Sequence, residues 1–170
     1  MAESGALRIE ELRGWRLCQI TCAPGAEAAL SLALQASGTG PLPRTGNLVS
    51  VLGDMRLYAI APRTWWWLSP ADAPVADFSL TLDPAMGSVT VLTAARARIA
   101  LEGPAAREVL QKGIAVDLHP RAFPVGRAVF TGLDHVGVML ERVAEERWEL
   151  FVPTTWARSV REWLDDAALA

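Results

Sequence analysis

The sequence predicts an α+β fold made by internal duplication: two β-α-β-β-β-α units with mostly antiparallel sheets. Three observations predict it. Short apolar or alternating runs are separated by turn dipeptides, the pattern of an antiparallel meander. In each half, a strand and a proline-opened helix precede three such runs. Landmark residues then recur at a near-constant interval: Pro24 with Pro104, Leu30 with Leu110, Trp66 with Trp148, Pro70 with Pro153. The reading is one domain over residues 1–170, with repeat units at about 12–83 and 94–168.

The elements follow in order. Gly14 to Thr21 carries Trp15, Leu17, Cys18 and Ile20 and reads as a strand. Pro24 opens a helix whose Ala26, Ala29, Leu30, Ala33 and Leu34 fall on one face. Residues 37–43, Ser-Gly-Thr-Gly-Pro-Leu-Pro, end it. Leu48–Leu52, Arg56–Ala61 and Thr64–Leu68 are then three strands divided by Gly53-Asp54 and Pro62-Arg63. Pro74 leaves room for only a short closing helix within 71–81. The second half repeats the plan. Arg96–Glu102 alternates and reads as a strand, Gly103-Pro104 opens a helix with Val109 and Leu110, and Gly113 is placed to close it. After a proline-containing loop, Arg127–Leu133, Val136–Arg142 and Trp148–Val152 are strands. A last helix starts near Thr154 or Thr155, with Trp156, Val160, Trp163, Leu164 and Ala167 as its apolar stripe.

Composition excludes several classes. Hydrophobic residues make up 51% and charged residues 21%, enough for a core and too apolar for disorder. A formal net charge of −3 argues against a nucleic-acid partner or an anionic membrane surface. No stretch approaches the roughly 20 apolar residues that span a bilayer, and no basic segment leads into an apolar one near Met1. The expected location is cytoplasmic.

Reactive constellations are absent at the level of motif. No nucleophile elbow, phosphate loop or helical zinc-protease motif occurs. Gly38-Thr39-Gly40 leaves a helix rather than entering one, contrary to a dinucleotide fingerprint. Two cysteines and two histidines do not make a zinc cage. Cys18-x-x-x-Cys22 lacks the spacing of a redox turn and reads as a buried residue plus a loop thiol. Asp134-His135 reads as a turn between strands, since neighbouring strand residues would point to opposite faces. His119 is either a hydrogen-bonded loop histidine or part of an interface.

The aromatics are unusual. There are seven tryptophans and one tyrosine, and Trp65-Trp66-Trp67 are consecutive on a predicted strand. Alternation sends Trp66 to one face and Trp65 and Trp67 to the other. Either the sheet is covered on both sides within the chain, or indoles lie at the surface, where they serve a partner or stack on a ligand.

The run Arg98-Ile99-Ala100-Leu101-Glu102-Gly103-Pro104-Ala105-Ala106, followed by Val109-Leu110, resembles the gamma subunit of heterotetrameric sarcosine oxidase. So do Asp117-Leu118-His119-Pro120-Arg121-Ala122-Phe123 and the ending from Phe151-Val152-Pro153 to Trp163-Leu164. Ala61 to Leu68 joins in, and the likeness spans roughly residues 45–168. That family is similar to the folate-binding domain of the glycine-cleavage T-protein, the aminomethyltransferase, so the resemblance implies a folate-binding-domain-like fold. It also implies a non-catalytic subunit with alpha, beta and delta partners, which would carry FAD, FMN, NAD and zinc. The implied reaction of the complex oxidises sarcosine to glycine and hydrogen peroxide and passes the one-carbon unit to tetrahydrofolate. No catalytic or metal-ligating residue is expected in this chain. Trp65, Trp67, His119, Arg121 and Phe123 are the candidate subunit interface. The T-protein pattern has an acidic pair and a strand-end Asn that orient folate. Here only Asp134 matches, and Pro153 stands where the amide would be. The alternative reading is a stand-alone folate-binding or one-carbon-transfer protein.

Overall fold

The computed structural model describes residues 7–36, 38, 41–43, 49–73 and 82–169, and among these described residues are ten strands and three α-helices. The strands are β1 (Arg8–Leu12), β2 (Trp15–Cys22), β3 (Val49–Leu52), β4 (Met55–Ala61), β5 (Thr64–Pro70), β6 (Gly87–Val91), β7 (Arg96–Glu102), β8 (Ala128–Leu133), β9 (Val136–Ala144) and β10 (Arg147–Pro153). The helices are α1 (Glu27–Ala36), α2 (Ala106–Gln111) and α3 (Ala157–Leu169). The short closing helix expected within 71–81 falls mostly outside the described residues.

The chain divides into two compact units. One, the N-terminal unit, is Gly14–Thr93. The other, the C-terminal unit, takes the residues up to Arg13 together with those from Ala94 onward. Each holds one five-stranded antiparallel sheet, in the orders β6-β2-β5-β4-β3 and β1-β7-β10-β9-β8. The two orders are the same when β1, β7, β8, β9 and β10 are set against β6, β2, β3, β4 and β5. The duplicated plan therefore extends one strand further than the sequence pattern suggests. β1 precedes β2 in the chain yet pairs with β7, Arg8 opposite Glu102. β6 precedes β7 yet pairs with β2, Val91 opposite Cys18. Each repeat thus lends its first strand to the sheet of the other.

Turn chemistry sets the registers. Gly53, with φ +57, is the first residue of the two-residue β3–β4 turn, where a left-handed conformation matches strand twist. Pro62-Arg63 joins β4 to β5, Pro supplying φ near −65° and Arg63 taking φ +56, normally a glycine's place. Asp134 takes φ +52 at the head of the β8–β9 turn. Gly87 answers a different need: a Cβ there would stand 2.1 Å from the Thr21 carbonyl oxygen, so only glycine lets β6 close on β2.

Under the helix-facing side of the N-terminal sheet, α1 buries Leu30 and Leu34 against Ile20, Cys22, Leu57, Trp65 and Trp67. This helix starts at Glu27 rather than at Pro24 because Gly25 sits at φ +82, outside the helical region. In the C-terminal unit, Val109 and Leu110 of α2 and Val160, Leu164 and Ala167 of α3 cover Ile99, Leu101, Leu140, Trp148, Leu150 and Val152. Gly113 does not cap α2 in a left-handed conformation. It is needed for space instead, since a Cβ would meet the Trp163 ring at 2.6 Å. Trp156 leaves the expected apolar stripe. Thr154–Trp156 form a 3₁₀ turn whose tighter winding rotates the indole outward, to 42% exposure.

Candidate subunit interface

The three consecutive indoles do not form an exposed surface. Trp65 is 7% exposed, and Trp66 and Trp67 are 2% exposed each. As alternation requires, Trp65 and Trp67 face α1 while Trp66 points the other way, beside Leu17, Tyr58 and Leu68, which are buried too. Trp65 Nε1 donates to the Pro43 carbonyl at 3.0 Å, and Trp66 Nε1 donates to Gln19 Oε1 at 3.2 Å. The expectation that Trp65 and Trp67 form an interface is therefore corrected. Their apolar area is already spent within the chain, leaving nothing for a partner to desolvate.

Phe123 needs the same correction. It is fully buried in the core of the C-terminal unit, its ring 5.4 Å from that of Trp148. Two arginines fix the loop around it. Arg142, itself buried, donates to the carbonyls of Phe123 at 3.0 Å and Glu145 at 2.9 Å and lies over the Trp148 ring. Arg127 donates to the Ala122 carbonyl and covers the Phe123 ring. Sequence spacing hides this clamp, because Arg142 sits 19 residues from Phe123 and looks like an ordinary strand-end cation. It anchors the end of the turn on which His119 and Arg121 are exposed. The Asp117 carboxylate accepts from the His119 amide at 2.8 Å, and His119 Nδ1 accepts from the Arg121 amide at 3.3 Å. His119 is thus a hydrogen-bonded loop histidine, and both side chains face solvent.

Asp134 lies in the β8–β9 turn, its amide donating to the Gly113 carbonyl at 2.9 Å. Because Asp134 and His135 occupy the turn rather than a strand, their side chains meet, His135 Nδ1 lying 2.5 Å from Asp134 Oδ2. The Trp156 ring meets the imidazole edge-on at 5.2 Å. A cleft of about 70 Å³ opens beside this pair, floored by Leu133, Val136, Val160 and Trp163 with Ser159 at its rim. Small-molecule pockets start at roughly 300 Å³. The cleft beside Asp134 does not fit a pterin.

Cys18 and Cys22 are free and buried on one face of β2. Four residue steps along the strand separate their Cα atoms by about 13 Å, beyond disulfide reach. Burial pushes both thiols up, so neither is a ready thiolate. Among the described residues, no cluster of three or more His, Cys, Asp or Glu side chains could hold a metal ion. No helix among them is long and apolar enough to cross a membrane.

Beyond the helix-facing cores, the C-terminal sheet buries charge. Glu149 is fully enclosed and takes both Nε (2.9 Å) and Nη2 (2.7 Å) of Arg98 on one carboxylate oxygen. Arg147 reaches its other oxygen at 3.4 Å and pairs with Glu102 at 2.9 Å. The Arg98–Glu149 and Arg147–Glu102 pairs tie β7 to β10, and Arg147–Glu149 lies within β10.

Known proteins resemble this chain over nearly its whole length. The family model described as "Sarcosine oxidase, gamma subunit family" matches residues 22–170. The sarcosine oxidase subunit gamma of an Arthrobacter species is 31% identical over 167 residues, 96% of this chain and 81% of that protein. The counterpart from Corynebacterium sp. (strain P-1) is 30% identical over 165 residues, 96% of this chain and 81% of that one. In the solved heterotetrameric sarcosine oxidase from Corynebacterium sp. U-96, in complex with pyrrole 2-carboxylate, one chain matches with a TM-score of 0.87. That match has 29% identity and covers 98% of this chain and 85% of that one. Glycine cleavage system aminomethyltransferase T from Bartonella henselae has the same fold, with a TM-score of 0.62 and 18% identity over 93% of this chain and 45% of its own. An antiparallel duplicated fold and a match over almost every residue lead to one conclusion: the chain belongs to the sarcosine oxidase gamma subunit family.

Proposed function

We propose that this chain is the gamma subunit of a heterotetrameric sarcosine oxidase and that it works as a non-catalytic scaffold within the complex. The observation that carries the reading is the near-full-length likeness to a chain of such a heterotetramer. Its chemistry agrees: the buried thiols are held protonated, the histidines sit in turns, and the buried carboxylate of Glu149 is tied to Arg98. The partners are alpha, beta and delta subunits, which carry FAD, FMN, NAD and zinc. The assembly oxidises the methyl group of sarcosine and passes the one-carbon unit to tetrahydrofolate. The same reading takes residues 1–170 as one duplicated domain, working in the cytoplasm. His119 and Arg121, exposed on their clamped turn, belong to the surface that meets partners.

Co-expression with the sister subunits from the same genome tests this. The expected result is one complex on size-exclusion chromatography that contains the chain and oxidises sarcosine. Alone, the chain has no oxidase activity and no saturable tetrahydrofolate binding. A monomer or homodimer indifferent to those subunits overturns the proposal.

A further inference from the structure

We propose that the cleft between the β8–β9 turn and α3 receives one basic side chain, Lys or Arg, from a neighbouring subunit. The inference rests on the subunit reading above and adds a location and a chemistry to it.

The cleft offers two complementary surfaces. Its floor is apolar, formed by Leu133, Val136, Val160 and Trp163. At one end stands the Asp134 carboxylate, its side chain 57% exposed. Among the described residues, His135 is the only ion-pair partner Asp134 has. Nearby cations are occupied elsewhere: Arg158 binds Glu162 at 2.8 Å, Arg161 binds Asp165 at 2.9 Å, and Lys112 donates to the Ala167 carbonyl at 2.6 Å. Asp134 meets His135 through Oδ2 alone, and a half-exposed carboxylate with its second oxygen at the end of an apolar trough suits a side chain with an aliphatic stem and a cationic head.

The cleft is small, about 70 Å³, and takes part of one side chain. A free amine in solution would be held by this one shallow contact. A partner chain brings the surrounding area as well, and the flanking Trp156 (42% exposed) and half-buried Trp163 are the residue type that anchors interfaces.

The test uses the assembled complex and measures how tightly the chain binds its sister subunits, at low and at high salt. Asp134→Asn removes the charge and keeps the left-handed turn, which Asn tolerates. Ser159→Tyr, from an exposed helix position, drives a ring over the cleft. Glu108→Ala, at an exposed position of α2 outside the cleft, is the control. We expect Asp134→Asn to weaken binding about tenfold at low salt and much less at high salt. Ser159→Tyr should weaken it about tenfold or more at both, and Glu108→Ala not at all. If the wild-type chain assembles and both cleft variants bind equally well, this inference is overturned and the subunit reading stands. Loss with Ser159→Tyr but not with Asp134→Asn identifies an apolar occupant, which overturns the basic one. If the wild-type chain does not assemble, both fall.

Discussion

At the position where β5 places Trp66, β10 places Glu149. Counting from the two-residue turns makes the match: Thr64 follows Pro62-Arg63 as Arg147 follows Glu145-Glu146, so Trp65 answers to Trp148 and Trp66 to Glu149. Trp65 and Trp148 both face helices and lie in the cores of their units. One step along, the N-terminal unit buries an indole bonded to Gln19, and the C-terminal unit buries a carboxylate held by Arg98. The lesson is that the repeats agree closely where a helix must be covered and diverge on the opposite face. Pairing Trp66 with Trp148 by sequence interval slips by one residue, and a one-residue slip in a strand exchanges its faces.

Four tests break or sharpen this comparison. Trp65→Ala and Trp148→Ala should each cost about 4 kcal/mol in denaturant unfolding, as deletions of matched core indoles. Unequal losses would show that the helix-facing sides are not equivalent. Glu149→Gln should cost about 3 kcal/mol, because Arg98 keeps its charge and loses its carboxylate. At the matched position, Trp66→Phe, which removes the bond to Gln19, should cost only about 1 kcal/mol. Gly113→Ala should cost about 2 kcal/mol by pressing on Trp163, with a change in indole fluorescence as the direct sign. Smallest, Arg63→Gly should raise stability by about 0.5 kcal/mol by relieving φ +56, and Asp134→Gly by less, since Asp tolerates that region better.

The meander of each unit was legible because its turns are local: Gly53-Asp54, Pro62-Arg63 and Asp134-His135 carry Gly, Pro and Asp, the residue types that mark bends, although Arg63 itself occupies a position glycine would suit better. β1 and β6 were not. Arg8-Ile9-Glu10-Glu11-Leu12 is charged on an edge strand, and its partner β7 lies some ninety residues on. For the site, alternation assigned the three indoles to their faces but did not reveal that all three are buried, since on the helix side the cover comes from α1 and Pro43, far along the chain from β5. The same holds for Phe123, whose burial depends on Arg127 and Arg142. Asp134-His135 read as a turn, but the cleft beside it required Val160 and Trp163 from α3.

The exchange of first strands has a bearing on how the polypeptide matures on the ribosome. Gly14–Thr93 is contiguous and has all its sheet partners once β6 has emerged. β1 must wait, unpaired, for β7, although it is made first. The leading segment therefore passes through synthesis as an orphaned edge, and its charges, Arg8, Glu10 and Glu11, guard it against premature association until its place is built.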